Sequence, residues 1–270
     1  LLVHRKLRAR TGGALRFFVS GGAALPSALG EFFEAAGLTI LEGYGLTESS
    51  PVLSVNRPGT YRFGCVGPPI PGVEIRIGEE GEILARGPNI MKGYWGDEAA
   101  TREVLDGEGW LHTGDIGRLE PDGSLRITDR KKHIFVSSGG KNIAPQPVEN
   151  LLLQSPLIEH ILLVGDRRPF LAALIVPDFE ALRSLPGGRA QEGETAEQLV
   201  RRPEVRGEME REVRRLLRGL PPYERVRRFE ILHRPFTVEG GELTPTLKIR
   251  RRVVEERFAG LIEGMYARPA

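Results

Sequence analysis

One cysteine, Cys65, is all the sequence holds, so an internal disulfide is excluded and the chain is no small disulfide-stapled fold. Long apolar runs are missing as well. The longest, near His160–Val164 and Phe170–Val176, fall far short of the ~18 to 20 residues that cross a bilayer. The start shows no basic stretch followed by an apolar core, the mark of a secretory signal. Lysine is scarce, with 6 against 32 arginines, and the net charge is only +2, which argues against a nucleic-acid binder. These absences describe a cytoplasmic protein without a transmembrane segment. Peripheral contact with a membrane surface is left open.

What is present is ordinary in bulk. At 270 residues, 40% hydrophobic and 27% charged, the chain suits two domains or one large core. The charge is unevenly spread: between Arg201 and Arg257, 16 basic residues face 10 glutamates. That bias reads as a solvated arginine-rich helical surface or as a surface for a phosphorylated ligand, since arginine pairs well with phosphate. Lys131, Lys132, Lys141 and Lys248 all fall inside the motifs below, which hints at a need for compact point charges there. The chain opens at Leu1 without a methionine and enters a helix-like stretch, Leu1–Ala9, as a piece of a longer protein would.

Residues 15–19 predict a buried strand, and Ser20-Gly21-Gly22-Ala23-Ala24 a turn from it. Pro26 starts a helix to Ala36 with Gly37 as its cap, and Leu38–Leu41 is a second short strand. This α/β texture puts glycine-rich turns at strand ends, where doubly wound folds place ligands. From Gly64 to Asp129 the texture becomes β-rich, with strands expected at Val73–Ile77, Gly81–Arg86 and Ser124–Thr128 and a turn at Pro121–Ser124. A boundary is expected near Asp129–Lys132. Beyond it, Pro145–Leu153 reads as a helix, His160–Val164 and Leu171–Val176 as strands, and Pro203–Gly219 as an amphipathic helix with Val205, Met209, Val213 and Leu216 on one face. Residues 184–196 predict a mobile loop and Arg250–Tyr266 a last helix.

Five segments could carry chemistry. Ser20–Ala23 could turn its amides to an anion, or could be an ordinary strand-to-helix turn. In Leu41–Glu48, Gly43-Tyr44-Gly45 suggests a tight turn, followed by a ring, a hydroxyl and a carboxylate suited to a purine, a phosphate and a cation. An aromatic packed under a loop beside a capping threonine fits equally well. Trp110–Asp115 sets a carboxylate after a glycine, able to accept two ribose hydroxyls or merely to form a turn. Asp129–Lys132 and Gly139-Gly140-Lys141-Asn142 offer either close backbone approach to a thin ligand or a plain hairpin. Leu243–Lys248 ends a loop on one ammonium, which could neutralise charge between a carboxylate and a phosphate or simply be solvated.

The order of these segments, with Gly81-Glu82-Ile83 running to Gly93-Tyr94-Trp95 among them, resembles the adenylate-forming superfamily of acyl-CoA synthetases, luciferases and peptide-synthetase adenylation domains. The match runs from about Phe17 to Phe258. Gly139–Pro145 and Glu242–Lys248 are similar in wording to the long-chain fatty acyl-CoA synthetase branch.

That resemblance implies an α/β fold. Residues 1–129 would be the C-terminal part of a large adenylation domain, with an α/β piece to about residue 60 and a β-barrel-like subdomain over about 61–129. Residues 130–270 would be a small, mobile α+β C-terminal domain. It implies a ligase that adenylates a fatty acid with ATP and Mg2+, then passes the acyl group to coenzyme A. On that model Gly21, Gly22 and Ala23 line the adenine and acyl side, Tyr44 and Gly45 meet adenine, Thr47 meets the α-phosphate, and Glu48 holds the metal. Asp115 takes the ribose hydroxyls with Arg130 in support, Lys132 is the hinge, Gly139 and Gly140 admit pantetheine, and Lys248 is the catalytic lysine. Two departures stand out. Thr246-Leu247 replaces the usual Ser-Gly before the lysine, and the family's phosphate loop is absent, so adenylation is expected to need a missing N-terminal half. The rival readings are an acyl-AMP ligase serving a carrier protein and a non-catalytic half-protein or binding module.

Overall fold

The computed structural model describes residues 2–185 and 193–267, which fall into two compact units, Leu1–His133 and Ile134–Ala270. The first unit opens with α1 (Leu2–Arg10) and β1 (Phe18–Gly21), then α2 (Ser27–Ala35) and β2 (Ile40–Gly45). Strand β1 pairs in parallel with β2, which pairs antiparallel with β3 (Val52–Val55). The strand expected at 15–19 therefore lies slightly later, and it is not buried: Phe18 and Val19 are exposed, as are Leu29 and Phe32 of α2. In this unit β1 is the outer strand of a three-stranded sheet, so one of its flanks lacks a strand neighbour.

A four-stranded antiparallel meander follows, built from β4 (Glu74–Ile77), β5 (Glu82–Arg86), β6 (Leu111–Leu119) and β7 (Leu125–Arg130), with α3 (Glu98–Val104) between β5 and β6. The three strands read from the sequence are there. The nine-residue β6 exceeds expectation, because Gly114 and Gly117 sit inside it rather than ending it. Gly117 is needed there: a Cβ would come within 2.4 Å of the Arg126 carbonyl oxygen. Tyr44, Leu53, Ile83, Ala85 and Leu125 form the buried core of this unit.

The second unit begins with the two-stranded hairpin β8 (Phe135–Val136) and β9 (Asn142–Ile143), then α4 (Pro145–Leu152). Its sheet is β10 (Ile158–Val164), β11 (Leu171–Pro177) and β12 (Val226–Ile231), with β11 central, antiparallel to β10 and parallel to β12. Every residue of β11 is buried, and the side-chain alternation of a strand divides them between two cores. Leu171, Ala173 and Ile175 join Val148 and Leu152 of α4 and Val205, Met209 and Val213 of α7 (Pro203–Leu216), after α5 (Phe179–Ser184) and α6 (Ala196–Arg201). Ala172, Leu174 and Val176 join Val254 of α8 (Arg251–Arg257) and Ile262 and Met265 of α9 (Ala259–Ala267). Burying each of the larger aliphatic side chains among these contributes about 1.5–3 kcal/mol.

The single last helix expected from Arg250 is two, broken at Phe258, whose ring packs on the second core beside Phe236. Of the loop expected at 184–196, residues 186–192 lie outside the described residues, and α6 starts at Ala196 behind a Thr195 cap.

Candidate nucleotide site

In the first unit, β1 and β2 run parallel and end side by side, with Gly21 in register with Gly43. The Gly22 and Ala23 turn leaves β1 at the carboxyl end, where open α/β sheets receive ligands. Gly43-Tyr44-Gly45 is not the turn it suggested; it completes β2. Gly45 is needed because a Cβ would lie 1.6 Å from the Pro51 carbonyl oxygen. The turn comes after it, at Thr47–Ser49. Ser49 Oγ accepts the Leu46 amide at 2.9 Å and donates to the Pro51 carbonyl at 2.7 Å, and Ser50 takes a left-handed φ of 52°. Thr47 is thereby exposed and Glu48 half-exposed.

Strand β6 delivers Asp115, 5% exposed, from mid-strand. Its Oδ2 accepts the Tyr44 hydroxyl at 2.6 Å and its Oδ1 accepts Arg130 Nε at 2.8 Å from the neighbouring β7. Burial, and then the Asp115 charge, pushes the Tyr44 hydroxyl far above its ordinary pKa, so it stays a donor. The bond to Asp115 likewise raises Arg130. An ionised carboxylate has about four lone-pair sites. Two are taken here, and two remain for a pair of neighbouring hydroxyls. Tyr44 itself is 8% exposed within the core, so what the structure gives it is a grip on Asp115.

Several residues that hold these groups had no role assigned from the sequence. Buried Glu82 accepts the Gly114 amide at 3.1 Å and Lys131 Nζ at 3.3 Å, bracing the residue before Asp115. Asn89 donates to the carbonyls of Ser49 and Val52, each at 2.8 Å. The Met91 amide donates to the Glu48 carbonyl at 2.8 Å, and the Tyr94 hydroxyl to Glu48 Oε1 at 2.8 Å. These partners lie 32 to 49 positions apart in sequence, so no local spacing could pair them.

A magnesium ion fits this arrangement in one way. The described residues contain no group of three or more acidic, histidine or cysteine ligands for a metal. A single accessible carboxylate, Glu48, is the donor expected where Mg2+ arrives on substrate phosphates and keeps several waters.

Lys132 is exposed, in a 3₁₀ turn (Lys131–His133) at the end of the first unit. The remaining candidates lie in the second unit. Gly139 and Gly140 form the exposed tip of the β8–β9 hairpin, where Gly140 has φ 73°. Lys248 ends a loop closed by a Leu243–Ile249 bridge, its amide donating to Thr244 Oγ1 at 3.0 Å. Leu247 before it has φ 60°, a left-handed conformation better suited to glycine. Beneath this loop, fully buried Glu242 accepts Arg234 Nη2 at 2.8 Å and also pairs with Arg257. Burial works against its ionisation, but the two guanidiniums and the Thr237 amide hold its carboxyl down to about 2. Many arginines of 201–257 pair with glutamates in this way, while Arg214, Arg218 and Arg227 line an open groove of about 720 Å³ between α7 and β12.

An α/β unit with a carboxylate–arginine–tyrosine cluster beside a half-exposed Thr-Glu turn, followed by a lysine-bearing α+β unit, is the architecture of an adenylation domain. The chain belongs to the AMP-binding enzyme family: residues 2–95 match the AMP-binding enzyme model and residues 132–270 that of the AMP-binding enzyme C-terminal domain. It is 44% identical to the long-chain-fatty-acid–CoA ligase FadD15 of Mycobacterium tuberculosis, over 98% of this chain and 44% of that protein. It is 39% identical to human long-chain-fatty-acid–CoA ligase 6, over 98% of this chain and 40% of that one. The A domain of a carboxylic acid reductase from Segniliparus rugosus, solved with AMP and a co-purified carboxylic acid, superposes with a TM-score of 0.76 at 28% identity, covering 95% of this chain and 40% of that one. The chain thus spans less than half the length of these relatives. Among the described residues, no helix is long and apolar enough to cross a membrane.

Proposed function

We propose that this chain is the C-terminal part of a long-chain fatty acid–CoA ligase, which forms an acyl-adenylate from ATP and a fatty acid and then an acyl-CoA thioester. The observation that carries this reading is the 44% identity to such a ligase along 98% of the chain, including the segments that build the Asp115 cluster. In this reading Asp115 accepts the two ribose hydroxyls while Tyr44 and Arg130 keep it oriented. Thr47 offers its exposed hydroxyl to the α-phosphate, and Gly21, Gly22, Ala23 and Gly45 border the base. Glu48 would hold the magnesium, which supplies neutralisation of phosphate charge when bound. Lys248 stabilises charge that develops between the attacking carboxylate and the phosphate, the step in which fixed charge is worth most. Lys132 serves as hinge, and Gly139 and Gly140 leave room for the pantetheine arm.

In this reading the phosphate loop lies in a further segment of the full-length protein, outside this chain. The test is ATP–pyrophosphate exchange by the full-length protein with acyl chains of graded length, then thioester formation with and without CoA. Exchange that rises with long chains, and thioester only with CoA, is expected. No exchange with any fatty acid overturns the reading, and product formed only on a carrier protein replaces CoA as acceptor.

A further inference from the structure

The segment Pro88–Trp95 binds itself to the Thr47–Ser49 turn at three points. Asn89 Nδ2 donates to the Ser49 carbonyl at 2.8 Å, the Met91 amide to the Glu48 carbonyl at 2.8 Å, and the Tyr94 hydroxyl to Glu48 Oε1 at 2.8 Å. The first two fix the backbone of the turn. The third reaches the carboxylate itself. Tyr94 is held in its turn: its amide donates to Thr101 Oγ1 at 2.9 Å, and that hydroxyl donates to the Asp97 carbonyl at 2.8 Å, in the first turn of α3. Gly93 has φ 150°, and a Cβ there would lie 2.9 Å from the Thr101 methyl, so the chain can bring Tyr94 this close only with glycine before it. The stability of the fold asks for none of this at Tyr94, which is more than a third exposed and whose ring joins no core cluster.

We propose that Tyr94 is a positioning residue for Glu48, fixing the orientation in which that carboxylate meets a magnesium–phosphate group. The inference rests on the reading of Glu48 given above. With one lone pair of Oε1 engaged by the Tyr94 hydroxyl, the carboxylate is held in one orientation and does not have to be ordered when the nucleotide arrives. Hydrogen bonds that orient a ligating carboxylate carry a characteristic size: their loss weakens metal binding about ten- to a hundredfold.

The experiment compares ATP affinity in saturating Mg2+ with that in EDTA, by calorimetry on the full-length protein, for wild type, Tyr94→Phe, Glu48→Gln and the double variant. Tyr94→Phe keeps the ring and loses only the hydroxyl. It is expected to leave the EDTA affinity and the melting temperature unchanged, to lower the magnesium-dependent gain about tenfold, and to have no further effect in the Glu48→Gln background. A Tyr94→Phe protein whose magnesium-dependent gain stays within twofold of wild type overturns the positioning role, as does an equal loss in EDTA. A wild type with no magnesium-dependent gain overturns the reading of Glu48, and the proposal with it.

Discussion

The two units treat their functional side chains in opposite ways. In the first, Asp115 is 5% exposed and gripped from two strands by Tyr44 and Arg130, and the Thr47–Ser49 turn is tied down by Ser49, Asn89, Met91 and Tyr94. In the second, Lys248 and the Gly139-Gly140 tip are exposed, and the lysine loop is ordered through its backbone and through Glu242 at its base. A group that recognises a fixed shape, such as a ribose diol, gains from being oriented beforehand. A group that only has to supply charge at one step can do so from an exposed loop. On the proposed roles, the contrast separates binding from catalysis by unit, and it can be broken by experiment.

The largest effect is expected at Lys248. Lys248→Ala should slow fatty-acid-dependent pyrophosphate exchange in the full-length protein by about a hundred- to a thousandfold, as loss of one preorganised charge does. Being exposed, it should leave the melting temperature within about 1 °C of wild type. The opposite is expected of Asp115→Ala, which leaves the buried Tyr44 hydroxyl without its acceptor. Urea unfolding should show the first unit destabilised by about 1–3 kcal/mol, with ATP binding lost in calorimetry. A destabilisation at Lys248 as large as that at Asp115 would erase the distinction between the units.

Glu242 gives a pH signature confined to the second unit. Its folded carboxyl lies near 2, below the ordinary 4.5. The folded state therefore binds fewer protons between those values, and stability rises with pH across that window. The stabilisation is complete above about pH 5 and is lost as pH falls from about 4.5 towards 2. Urea midpoints measured from pH 6 to 3 should fall for the wild type, and the fall should be shallower in Glu242→Gln. The smallest effect is expected at Leu247. The left-handed conformation costs an L-residue about 1–2 kcal/mol, while glycine adds about 0.5–1 kcal/mol of unfolded-state entropy. Leu247→Gly should thus raise the melting temperature by about 1–2 °C, and a lowered value would show that the Leu247 side chain contributes packing the backbone angle does not reveal.

Much of this fold could be read from periodicity and punctuation. The strands at Glu74–Ile77 and Glu82–Arg86, the Pro121–Ser124 turn, and the Val205, Met209 and Val213 face of α7 all appear where the sequence placed them. The motifs likewise pointed to Tyr44, Asp115 and Arg130, which do meet. What periodicity could not show was how glycines act once strands are paired. Gly45, Gly114 and Gly117 look like strand breakers, yet they lie within strands, Gly45 and Gly117 because a neighbouring carbonyl would meet a Cβ and Gly114 because its φ is 69°. Nor could it show that a tyrosine chosen for its ring would be buried with its hydroxyl on Asp115, or that Glu82, Asn89 and Tyr94 would brace the site from 32 to 46 positions away. Those are contacts of the folded sheet, and no local signal encodes them.

The separation of binding from catalysis is most directly tested by ATP calorimetry on full-length Asp115→Ala and Lys248→Ala side by side. The account predicts that Asp115→Ala loses ATP binding while Lys248→Ala binds within twofold of wild type. Loss of binding in Lys248→Ala with binding retained in Asp115→Ala, or equal loss in both, would contradict it.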